Sequence, residues 1–166
     1  MSPRPAGPVV FRAETGPTLP RGATGFCRPK DGPLPETDVR TFRTALYAAA
    51  RLARGTVGEV RERAYPLTFH SATVTGSTGE HVVLCHAHHP WIAFAPQRPH
   101  WSGEEFLAPP PWARPLRDAG FEVLSGEQLG TPLSVLDALA LTEGEWRQVR
   151  HHGVTTVGGV LFNAWD

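Results

Sequence analysis

This chain of 166 residues has little of several things, and each scarcity excludes something. It holds two cysteines, Cys27 and Cys85, too few for a disulfide-stapled scaffold. In a cytoplasmic chain of this size each reads as a small buried apolar residue. No stretch reaches the roughly 18 apolar residues that would suggest a membrane-spanning helix. The opening MSPRPAGPVVFRAE has no apolar core of the signal-peptide kind, so a cytoplasmic location is expected. Charge of one sign is also missing: 16 basic and 16 acidic residues cancel to a formal net charge of zero. A nucleic-acid binder usually carries a basic excess, because phosphate contacts supply most of its affinity. Neither a nucleic acid nor a membrane is therefore the expected partner. Lysine is nearly absent, Lys30 standing alone among arginines. With the abundant Ala, Gly and Pro, this suggests the coding bias of a high-GC, actinobacterial genome. There is no phosphate loop, dinucleotide fingerprint, GxSxG elbow or HExxH pair.

What is present reads as one α+β domain spanning residues 1–166, without internal repeats. Gly and Pro, 17 of each, gather in residues 3–35 and 96–115, a turn-rich N-terminal segment and a Pro/aromatic-rich loop. VVFRA (9–13) has strand character. Residues 37–54 place Val39, Phe42, Ala45, Leu46, Ala49, Leu52 and Ala53 on one stripe of an α-helix. Thr37 or Asp38 can cap its start and Gly55 its end. Its other face carries Arg40, Arg43, Arg51 and Arg54, read as a solvated face rather than an anion site. YPLTFHSATVT, HVVLCHA and WIAFA, joined by short turns, predict an antiparallel meander. VVLC and WIAFA are apolar throughout, as strands covered on both faces are. WARPLRDAG predicts a short helix, FEVLS a further strand, and SGEQ and TEGE two capping boxes that open helices. TTVGGVLFNAWD predicts a last helix, whose double glycine implies close approach to another backbone. This order argues for an antiparallel sheet with helices packed on one face.

The stretch LCHAHHPWIAFAP (84–96) puts three histidines and a cysteine within five residues. On an extended strand His86 and His88 share a side, so together they can chelate one metal ion. Catalytic zinc needs a third protein ligand, for which His70 and His100 are candidates. Whether His70 shares the face of His86 turns on one residue of register, Cys85 or His86 lying opposite it. The alternative is that the strand ends at Ala87 and His88-His89-Pro90 is a plain turn. Cys85 as a nucleophile lacks a base, since His86 points the other way. His100, Glu104 and Glu105 could form an acid–base pair, although adjacent glutamates more often begin a helix. Trp101, Phe106 and Trp112 could anchor a partner if exposed, or lie over the sheet if not. EWRQVRHHGVTTVGGVLFN has the outline of a helix-turn-helix, but its second helix offers almost nothing polar to a base edge.

WRQVRHHGVTTVGGVLFNAWD (146–166) resembles the ending of a group of small actinobacterial proteins that closes in a TVGxxLFNxWD-like block, and VVLCHAHHPWIAFA looks like the hairpin of the same group. That group has no assigned activity, so the resemblance assigns no functional residue. In size and style the chain is also similar to immunity proteins of bacterial toxin systems. The expectation is a cytoplasmic binding protein that occludes a protein partner, rather than an enzyme, with the aromatic loop of Trp101, Phe106 and Trp112 as one candidate surface. The alternatives are a small metal-dependent enzyme using His86, His88 and His70, with zinc as cofactor, and a small-molecule-binding or biosynthetic accessory protein.

Overall fold

The fold is built on two strands that are apolar on both sides. A computed structural model describes residues 10–12, 16–19, 21–26, 30, 32–64, 66–96, 105–135 and 141–164. Strands β4 (Phe69–Gly76), β5 (Gly79–His86) and β6 (Trp91–Ala95) form the expected meander. β3 (Thr56–Val57) adds an antiparallel edge and β7 (Glu122–Val123) a parallel one, giving the sheet order β3-β4-β5-β6-β7. VVFRA contributes β1 (Val10–Arg12), which pairs with β2 (Gly16–Thr18) in a separate ribbon and not in the main sheet.

Side chains alternate along a strand, so Val82, Leu84, Trp91 and Ala93 enter one apolar cluster, and Val83, Cys85, Ile92 and Phe94 the other. Each face needs a cover. On the second face α1 (Val39–Leu52) sets down Phe42, Ala45, Leu46 and Ala49, joined by Trp112 and Leu116 from a 3₁₀ turn (Pro111–Ala113) and α2 (Arg114–Asp118). On the first face lie Leu129 of α3 (Gly126–Leu129), Val149 of α4 (Glu143–His152) and Val157, Val160 and Leu161 of α5 (Val157–Leu161). The α+β class is the one expected from the sequence. Helices cover both faces, however, where the order of elements alone suggested a single helical layer. The physical reason is the two-sided apolar character of VVLC and WIAFA, which leaves neither face fit for water.

Local signals resolve residue by residue. Asp38 caps α1, accepting from the Arg40 amide at 2.9 Å. At the other end Arg54, and not Gly55, takes the left-handed conformation, at φ 54°. Gly55 serves packing instead, because a Cβ there would lie 2.0 Å from the carbonyl oxygen of Thr75. Leu52, expected inside, is 57% exposed. Ser125 and Gln128 form the full capping box that SGEQ predicts. The close approach implied by TVGG is also present: a Cβ on Gly158 would lie 2.4 Å from the Phe106 ring and 3.0 Å from the Leu129 carbonyl oxygen.

Gly158→Ala tests that packing. Helix propensity alone would favour alanine by about 1 kcal/mol. The clash is expected to reverse this and destabilise the fold by about 1–3 kcal/mol in urea denaturation, the range of an overpacked core. A neutral or stabilising substitution would contradict the packing described.

Candidate functional site

The histidines of LCHAHHP are brought together by the end of β5. The strand stops at His86, and residues 87–89 bend away before β6 begins. His86 makes that bend: its Nδ1 accepts the backbone N–H groups of His88 (3.1 Å) and His89 (3.2 Å). Its Nε2 donates to the carbonyl of Ala23 at 2.9 Å, which fixes the neutral tautomer. His86 is completely buried, with ring contacts to Trp91 at 4.8 Å and Phe162 at 6.1 Å between centroids. His89 Nε2 donates to the carbonyl of Arg21 at 2.9 Å, and its ring stacks on Trp91 at 4.4 Å. His88 Nδ1 donates to the carbonyl of Pro35 at 2.9 Å.

Two of these bonds reach residues 21–25, a strap laid across the sheet face with Ala23 fully buried, as is Leu19 just before it. The strap's polar groups are held by side chains, because it has no place in a strand ladder. Besides His86 and His89, Glu145 of α4 accepts from the Gly22 amide (2.9 Å), the Thr24 hydroxyl (2.9 Å) and the Thr24 amide (3.5 Å). Asn163, just beyond α5, donates through Nδ2 to the Thr24 carbonyl at 2.9 Å. Gly22 and Gly25 allow the turn, with φ of 89° and 78°. Thr68 closes the far side, its hydroxyl accepting from the Asn163 amide at 3.0 Å and donating to the Leu161 carbonyl at 2.9 Å.

Burial governs the electrostatics. Desolvation lowers His86 well below the ordinary histidine value, with the neighbouring His89 as the next cause. Desolvation is also the first cause lowering His88, His89 and His70. Glu145 is raised by desolvation, partly offset by its bonds to Gly22 and Thr24. Burial likewise pushes the Cys85 thiol up, as expected of a core residue and not of a thiolate nucleophile.

The three histidines put forward as metal ligands are arranged as follows. His70 pairs with Cys85 across the sheet, and Phe69 with His86. Directly opposed residues share a face, so His70 points away from His86. His70 Nδ1 accepts from the Arg63 amide at 2.8 Å, and both ring nitrogens of His86 are committed to backbone groups. His86 and His88 lie 5.8 Å apart between ring centroids, but across a bend and not along one strand. Among the described residues no three His, Cys, Asp or Glu side chains gather as a metal site would require. Of the aromatic loop, Trp101 lies outside the described residues, as do His100, Glu104 and Cys27. Phe106 is half-buried, 6.0 Å from Phe162. Trp112 is 6% exposed and packs edge-on to Phe94 at 5.5 Å. Trp112 therefore belongs to the core, and Phe106 packs against it. α5, the second helix of the helix-turn-helix outline, is buried along its whole length.

Sequence reasoning missed Glu145, Thr24 and Asn163. TEGE marks Glu145 as the last residue of a capping box, three after the cap, and the Thr142 hydroxyl does accept from its amide at 3.1 Å. The carboxylate, however, reaches to residues 121 and 123 positions away in the chain, for which no local signal exists.

His86→Phe keeps the ring's volume and removes its three bonds. It leaves the amides of His88 and His89 and the carbonyl of Ala23 buried and unpaired, at about 1–3 kcal/mol each. A loss of about 3 kcal/mol or more is expected in urea denaturation at pH 7.5, and a loss under 1 kcal/mol would contradict the assignment. No family model, curated protein or solved structure matches this chain.

Proposed function

We propose that the chain is a cytoplasmic protein-binding domain that neutralises a protein partner by covering its surface, in the manner of an immunity protein, and that it docks through the outer face of α1. One observation carries this reading. Tyr47 is 51% and Leu52 57% exposed, the only large hydrophobic side chains so placed among the described residues. They sit on a helix, VRTFRTALYAAARL, that carries three arginines and no acid. Arg43, Tyr47 and Arg51 succeed one another at intervals of four, one stripe on the helix surface. Arg40, Arg43 and Arg51 are exposed, and no ion pair holds them among the described residues.

Tyrosine and arginine are the residue types enriched at interface hot spots, where a flat apolar body carries a polar or charged tip. Beside the stripe a groove of about 640 Å³ runs between α1 and α2, lined by Arg40, Thr44, Ala48, Pro115 and Ala119 and by Asp118, whose carboxylate is paired with Arg114 at 3.7 Å. The whole chain is neutral, so this basic face is a local separation of charge, and the partner that complements it is an acidic protein surface. In the aromatic loop Trp112 is buried and Phe106 half-buried, so among the described residues neither is as open as Tyr47 and Leu52.

The partner is first recovered from the native cell on the immobilised full chain, then purified and titrated against wild type and the Tyr47→Ala and Arg43→Glu/Arg51→Glu variants. Each variant is expected to weaken Kd at least tenfold, about 1.4 kcal/mol. The wild-type Kd should also rise with salt, as contacts between charged surfaces require. Circular dichroism should be unchanged, because the altered residues are exposed. A stoichiometric partner whose Kd none of these changes moves would refute the α1 face. A chain that recovers no partner would refute the binding function.

A further inference from the structure

The strap of residues 21–25 is held by side chains whose bonding roles depend on their protonation. We propose that it is an acid-released latch, in which protonation of His86 detaches the strap from the sheet and uncovers the apolar face beneath it.

The geometry makes His86 the trigger. Its Nδ1 faces two N–H donors, the amides of His88 and His89, and its Nε2–H faces the Ala23 carbonyl. A proton added at Nδ1 replaces an acceptor by a donor directed at two donors. Both bonds are lost, and with the ring fully buried no water can replace them. Among the described residues, the charged groups that act on this ring add positive charge to it and do not offset it. His89 and His88 lie at ring separations of 5.5 and 5.8 Å, and Arg63 adds further positive charge from the segment before β4. The ring must therefore leave its site to keep the proton, and the bond to Ala23 goes with it. His89 is the lesser contributor: its bond to the Arg21 carbonyl uses Nε2–H, which survives protonation, and a charged ring stacked on Trp91 gains a cation–π contact.

The other titratable groups set the window. The histidines are held below their ordinary value, so their contribution to the docked state is complete above about pH 6.5 and is lost as the pH falls from there. His88 acts in the same sense, with Glu36 near it as a partial counter-charge. His70 lies on the opposite face beside Glu62 and Arg63 and does not touch the strap. Arg21, in the strap itself, donates to the Gly32 carbonyl. Glu145 has the opposite sign. Its carboxyl is raised by burial, so taking up a proton relieves a desolvation cost and favours the docked strap. The release therefore begins near pH 6.5, and the glutamate opposes it only once the pH reaches that raised value. What opens is an apolar surface: Leu19 and Ala23 lie in one cluster with Phe69, Leu84 and Trp91.

Hydrogen exchange of the full chain, read by NMR at pH 7.5 and 5.0 and corrected for intrinsic rates, tests the latch. The amides of Gly22, His88 and His89 are expected to lose at least tenfold in protection at pH 5.0, while the β4–β5 ladder keeps its own. In the same samples the His86 ring should lose its Nε2–H tautomer over the pH range in which the Gly22 amide opens. His86→Gln, which cannot take up the proton, should remove most of the difference between the two pH values, leaving only the smaller contributions of His88 and Glu145. Three results would each overturn the latch: equal Gly22 protection at both values, loss of the ladder together with the strap, or a pH response as large in His86→Gln as in the wild type. If that variant does not fold, the tautomer titration decides alone, and a His86 ring that titrates apart from the Gly22 amide refutes the proposal.

Discussion

A chain segment that crosses a sheet face without joining its ladder must still satisfy its backbone, and this requirement organises the first face of the molecule. The strap buries Ala23 in the cluster that holds Leu19, Phe69, Leu84 and Trp91, and so loses water as a partner for its amides and carbonyls. Four side chains from distant elements replace the water: His86 from β5, His89 from the bend, Glu145 from α4 and Asn163 from the tail of α5. Each bond alone contributes about 1 kcal/mol net, but leaving one unmade costs more, so the network acts as a unit. The cluster of histidines thus has a constructional use: a neutral imidazole offers one acceptor and one donor in fixed directions, and His86 uses both.

The rest of the fold follows from the two-faced strands. Because β5 and β6 are apolar on both sides, a second layer of helices is needed, and α1 with α2 supplies it. α1 then has one buried face and one open one, and the open face keeps Tyr47, Leu52 and its arginines in water. The buried polar network and the basic helix lie on opposite sides of the sheet.

Much of this was legible in the residues. The unbroken apolar runs VVLC and WIAFA, the stripe of α1, the Ser125–Gln128 box and the tight packing at Gly158 are local patterns, and local patterns are what a sequence displays. Three things were not legible, for physical reasons. The face of His70 hung on a single residue of register, decided by the two-residue turn at Ser77-Thr78 that pairs Gly76 with Gly79. The burial of Trp112 depends on where the chain after β6 returns across the sheet, which its own composition does not specify. The use of Glu145 depends on a partner segment more than a hundred residues away. A histidine-rich turn reads equally well as a metal site until the backbone groups that occupy its nitrogens are known.

The central claim is that His86 and Glu145 do one job, holding the strap from two sides. A double-mutant cycle of His86→Phe and Glu145→Leu in urea denaturation at pH 7.5 tests it most directly. If either change alone frees the strap, the second has nothing left to release, and the double variant should be less destabilised than the sum of the singles by at least about 1 kcal/mol. Costs that add within about 0.3–0.5 kcal/mol, as for independent sites, would contradict it.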